Sequence, residues 1–176
     1  VMVTAPVTVL LYDTVFLAGS CREALRQRRG LYVGLAATWG ILALLLADPH
    51  QSLSTVGFAL KEVTPIEYAL TQPRVLLHYL RLAFWPYPLV LDYYWPIVRT
   101  PNVILPSALV IGVLVLETCW ALRWRPALGF LGAWFFLIIS PTSSVIQLKD
   151  PVVEHRMYLP LAAPITLGVL GAWHLL

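Results

Sequence analysis

Apolar positions along the chain gather into five long runs, at residues 3–19, 31–47, 102–122, 124–140 and 158–176. Each reaches the length of about 17–25 mostly apolar residues that a membrane-spanning helix needs. The second run carries no charge, and Asp13 and Glu117 are the acids within the others. Pro106 sits in the first part of the third run, Pro141 stops the fourth, and Pro160 and Pro164 mark the opening and an expected bend of the fifth. A sixth pattern differs. From Arg74 to Trp85 the polar positions are Arg74, His78 and Arg81, spaced i, i+4, i+7, among Val75, Leu76, Leu77, Leu80, Leu82 and Phe84. That spacing predicts an amphipathic helix over about 74–85, opened by Pro73 and ended by Pro86. It would extend only about 18 Å, too short to cross, so an interfacial position is expected. Trp85, Tyr87, Tyr93, Tyr94 and Trp95 follow it, as in an aromatic belt at headgroup depth.

The expected fold is therefore an all-α integral membrane bundle of about five spans, with an interfacial helix in a long outer loop and no soluble domain. Orientation follows from arginine. Arg22, Arg26, Arg28 and Arg29 crowd the loop at 20–30, and Arg123 and Arg125 the one at 123–126. Positive residues stay cytoplasmic, which puts the loops at 48–101 and 141–157 outside. Arg99 and Arg156 abut their spans on the opposite side from that rule. The first run starts at the first residue and the last reaches Leu176, so a portion of a larger membrane domain is expected.

Composition agrees. Hydrophobic residues make up 59% of the 176 and charged ones 12%, against about 45–50% and 25% in soluble domains. The net charge of +3 is spread over span ends rather than gathered into a basic face, which disfavours a nucleic-acid partner. Cys21 and Cys119 suggest neither a disulfide framework nor a zinc site. No Gly-rich phosphate loop, HExxH or Ser–His–Asp pattern is present, so no cofactor and no metal-ligand set is identified, and the sequence does not decide whether a metal is required.

Two groups of residues carry candidate chemistry. Glu154-His155-Arg156 stands at the outer mouth of the last span. Arginine forks onto phosphate, histidine donates or exchanges a proton, and glutamate orients either; the bland alternative is a charged helix start with Arg156 snorkelling to headgroups. Arg74, His78 and Arg81 form a basic strip suited to an anionic lipid or lipid-linked substrate, or simply solvated. Lys61, Glu62 and Glu67 read as loop, and Ser140-Pro141-Thr142-Ser143-Ser144 as a hydroxyl cap on the fourth span. Asp13 is expected to pair with a cytoplasmic arginine, and Glu117 to be exposed near the interface. His50 and His174 support no role.

In chain order, Leu10-Leu11-Tyr12-Asp13, Thr71-Gln72-Pro73-Arg74 with Tyr79-Leu80-Arg81-Leu82, Leu91-Asp92-Tyr93, Ser140-Pro141-Thr142-Ser143-Ser144 and Glu154-His155-Arg156-Met157-Tyr158-Leu159-Pro160 resemble the membrane portion of TMTC-type proteins, transmembrane glycosyltransferases followed by tetratricopeptide repeats, and their bacterial relatives most. The resemblance covers nearly the whole chain. It implies a GT-C-like fold and transfer of a sugar from a polyprenyl phosphate to a protein or other hydroxyl acceptor on the periplasmic or lumenal side. It also implies that Glu154, His155 and Arg156 bind the donor phosphate, that the interfacial helix and the bent last span frame a groove for the polyprenyl tail, and that the bacterial inner membrane is favoured over the endoplasmic reticulum. The catalytic acid of such enzymes would precede this region, and the repeats would follow it, so this segment alone should not turn over substrate. A transporter or flippase, with ionisable groups at the bilayer midplane, and a non-catalytic subunit of a larger assembly are the rival readings.

Overall fold

The computed structural model describes residues 2–46, 64–87, 90, 100–141, 143, 152 and 154–175. Among these are seven α-helices and no strand: α1 Ala5–Tyr12, α2 Cys21–Gln27, α3 Arg29–Leu46, α4 Pro65–Phe84, α5 Pro101–Trp124, α6 Pro126–Ile139 and α7 Ala162–Leu175. Local chemistry sets the boundaries. Helix α1 widens at Asp13 into a π-helical stretch, Asp13–Ala18, which ends at Gly19 with φ of 70°. Only glycine adopts that conformation without steric cost. The Ser20 hydroxyl then accepts from the Glu23 N–H at 3.2 Å and starts α2. Proline opens α4, α5 and α6, at positions where a helix has no use for the missing N–H.

Two expected elements change. The helix expected at 74–85 begins at Pro65 and runs through Pro73 to Phe84. Thr64 and Glu67 form a reciprocal capping box, the Thr64 hydroxyl accepting from the Glu67 N–H at 3.2 Å and the Glu67 carboxylate from the Thr64 N–H at 3.0 Å. That cap fixes the start upstream, and packing holds the helix together past the proline. The run expected at 158–176 starts with a 3-10 turn, Glu154–Met157, and becomes α-helical only at Ala162. Pro164 thus falls in the first turn of α7, where N–H groups lack intrahelical acceptors, and no bend is required.

Helix α6 lies at the centre, against α5, α7 and α1, and α4 packs across α5 and α7. The α5–α6 hairpin is tight because a Cβ on Gly129 would run into the Leu122 backbone, and one on Gly132 into the Thr118 side chain. Small residues at such points let helix backbones approach closely. The main core joins Val75, Leu76 and Tyr79 of α4 to Ile111, Phe135, Ile139, Val152, Met157 and Ala163. A second cluster stacks Phe130 edge-on to Tyr12 and Phe16, at 5.8 and 5.2 Å between ring centres. Among the described residues, helix α5 alone is long and apolar enough to cross a membrane; at 24 residues it extends about 36 Å. The Ala5–Ala18 segment, α3, α6 and α7 are shorter apolar helices.

Candidate functional site

Helix α4 has two faces. Tyr68, Thr71, Gln72, Val75, Leu76 and Tyr79 are buried, at the i, i+3, i+4, i+7 spacing of one helical stripe. Arg74 and Arg81 are exposed on the other side, and His78 is half-buried at its edge. The basic strip therefore exists, but the helix does not float on a surface: its far face is part of the core. Within that stripe the Thr71 hydroxyl donates to the Glu67 carbonyl at 2.8 Å and the Gln72 amide to the Tyr68 carbonyl at 3.4 Å.

The turn Glu154–Met157 meets α4 through the same core, since Met157 is buried in the cluster that holds Val75 and Tyr79. Arg156 is half-buried. Glu154 and His155 are placed by their backbone in the 3-10 turn, and their side chains lie outside the described residues. The two candidate stretches are therefore neighbours through their apolar sides, while Arg74 and Arg81 face away from the shared core. The turn is tied to α6 as well, the Trp134 indole donating to the Leu159 carbonyl at 3.1 Å. Lys61, Glu62, His50, the 91–95 stretch, Thr142 and Ser144 lie outside the described residues. Glu67, read as loop, lies in the first turn of α4 as the partner of Thr64 in its capping box. The Ser140 hydroxyl donates to the Leu137 carbonyl at 2.9 Å, the hydroxyl cap expected there.

Below this junction an open cleft of about 220 Å³ runs between α4, α5, α6 and α7. Its lining includes Leu80 of α4, Glu117 and Thr118 of α5, Leu128, Gly132 and Phe136 of α6, and Ala163 of α7. The Thr118 hydroxyl is engaged by the Leu114 carbonyl at 2.8 Å, which leaves Glu117 as the polar wall.

A second polar constellation lies at the other end of the chain. Asp13 is 2% exposed and accepts the Tyr32 hydroxyl at 2.7 Å, with the Arg28 guanidinium 3.5 Å from its other oxygen. The expected arginine is there. Tyr32 was not foreseen, because a tyrosine in an apolar run reads as lipid-facing until α3 is seen to pack against α1 and bring its hydroxyl to Asp13. Thr71 and Gln72 were missed for a simpler reason: their stripe is legible only once the helix extends upstream of Pro73. The arrangement of Asp13, Arg28 and Tyr32 balances charge and holds two helices together, and offers no nucleophile or acid to a substrate. No family model, curated protein or solved structure matches the chain.

Proposed function

We propose that the chain is part of a multi-spanning membrane glycosyltransferase that moves a sugar from a polyprenyl-phosphate donor to a protein or other hydroxyl acceptor on the periplasmic or lumenal side. The observation that carries this reading is the shared core of α4 and the Glu154–Met157 turn. It puts a basic helix and an arginine-bearing turn beside each other, above an apolar cleft whose walls include Leu80 of α4 and Ala163 of α7. In this reading Arg156 forks onto the donor phosphate, His155 donates to it, and Glu154 fixes Arg156. Together they stabilise the negative charge that grows on the phosphate as the sugar leaves. An acidic residue upstream, on the resemblance, takes the proton of the acceptor hydroxyl. The donor is a lipid, so no nucleotide-binding motif is called for.

Support for the bilayer comes from the surface. Besides α5, the helices α3 and α7 leave Val33, Ile41, Leu44, Val169 and Trp173 exposed, large apolar side chains of the kind that mark a membrane or partner surface where they gather. The transporter reading draws on one observation, the carboxylate of Glu117 in the cleft wall, but a relay would need further ionisable groups at that depth, and α6 and the described part of α3 beyond Arg29 have none.

Arg156→Ala in the full-length protein, reconstituted with a polyprenyl-phosphate sugar, tests the assignment. Sugar transfer should fall about a hundredfold, the scale of losing one preorganised donor to a developing oxyanion, with the melting transition in place. Transfer at the wild-type rate would remove Arg156 from the donor site.

A further inference from the structure

Glu117 has no task in the donor reading. It lies on α5, about 10 Å along the axis from Trp124 and so roughly 8 Å from the middle of the helix. Side chains tilt toward the N-terminus of their helix, which carries the carboxylate deeper into the apolar section and away from Arg123 and Arg125. A bare carboxylate at such depth is costly and calls for a cation or a cavity. Neither the Arg26–Glu23 nor the Arg28–Asp13 ion pair involves Glu117. The side chain is exposed and faces the cleft.

We propose that the cleft binds a single-chain alkylammonium amphiphile, its cation paired with Glu117 and its chain laid over Gly132 and Phe136. Charge and size select this occupant. An anionic chain would be repelled, and a neutral one would leave the carboxylate uncompensated. A partner helix about 10–12 Å across cannot enter a space of about 220 Å³, whereas a single alkyl chain can lie along it. Gly132 lines the cleft where α5 and α6 pack closely, since a Cβ there would meet the Thr118 side chain. The inference depends on α5 spanning the bilayer; it uses none of the donor-phosphate residues, and it takes for a cationic ligand the cleft that the donor reading sets beside its basic groups.

The test uses the full-length protein in phosphatidylcholine nanodiscs and a dodecylammonium probe with a diazirine in its tail. Photolabel should fall on the α6 segment that contains Gly132 and Phe136, and free dodecylammonium should compete while dodecanol does not. Glu117→Gln, at an exposed position, should lower labelling on the order of tenfold, the usual scale of one charge-assisted contact. Leu128→Trp, which fills the mouth and keeps the carboxylate, should lower it as much. Wild-type labelling of Glu117→Gln would overturn the proposal, as would equal competition by dodecanol or label confined to the outward faces of α3 and α7. Competition by dodecyl phosphate in place of dodecylammonium would also overturn it and give the cleft to the donor tail, so this inference and the donor reading fail separately.

Discussion

Helices α3 and α4 are near in length and opposite in how they are held. Helix α4 is the more polar, with Arg74, His78, Arg81 and Glu67 along it, yet six of its side chains are buried and four of those, Tyr68, Thr71, Val75 and Tyr79, are fully enclosed. Helix α3 is apolar from Leu31 onward, yet none of its described side chains is buried. It is fastened by polar links instead. The Tyr32 hydroxyl reaches Asp13 at 2.7 Å near one end, and the Trp39 indole donates to the Val3 carbonyl at 2.8 Å nearer the other. In water this would be inverted, because apolar area is what water expels. With lipid as solvent, apolar side chains gain little by leaving it for a neighbouring helix, and close packing and hydrogen bonds decide which helices associate. The contrast is what the membrane reading requires, and it can be broken by treating the two helices alike.

The largest difference should come from truncating matched apolar positions. Tyr79→Ala empties an enclosed site at the junction of α4 with the Glu154–Met157 turn, and a loss of about 3–5 kcal/mol is expected, as for other large aromatic truncations. Leu44→Ala, on an α3 side chain that is 76% exposed, should change stability by less than about 0.5 kcal/mol. Thermal unfolding of both variants in the same detergent measures the gap. Comparable losses would mean that α3 is packed in the intact protein and that the contrast is false.

A smaller effect separates the polar links from packing. Tyr32→Phe keeps the ring and removes the hydroxyl that Asp13 accepts. A hydrogen bond to a charged group contributes about 1.5–3 kcal/mol, and Arg28, half-exposed, stays to share the charge, so the lower end of that range is expected. The combination with Arg28→Ala should exceed the sum of the two single losses, since each change alone leaves Asp13 one partner. Strict additivity would show that Asp13 is solvated in place and does not bind α3 to α1.

How much of this was written in the residues depends on the kind of signal. The long apolar runs announce helices wherever the period needs no partner to be read. Pro126 and Gly19 announce breaks through backbone chemistry that acts locally. Asp13 announces its arginine, because a buried carboxylate has few alternatives. Other features are tertiary. The π-helical turn after Tyr12 has no residue that specifies it, and the Tyr32 hydroxyl reaches Asp13 only because α3 packs back against this segment. That Gly129 marks the closest approach of α5 and α6, whereas Gly34 on α3 meets nothing within 4 Å, cannot be told from two glycines in apolar runs. In the candidate site the basic strip was legible from spacing. The burial of the opposite face was not, because Pro73 reads as a start signal until Thr64 and Glu67 are seen to form one earlier.

That earlier signal gives the finest test of the comparison. Thr64→Ala removes the hydroxyl that accepts from the Glu67 N–H and half of the capping box, a loss of about 1 kcal/mol at an exposed helix start. Helix α4 ought to feel it only at its first turn, since Val75, Leu76 and Tyr79 anchor the remainder in the core. Amide exchange should therefore quicken over residues 66–70 and stay slow over 75–80. Uniform acceleration along the whole helix would mean that the segment before Pro73 is needed to dock the rest. In that case the short helix read from the apolar pattern alone would be the wrong unit, and the cap would govern whether the basic strip is presented at all.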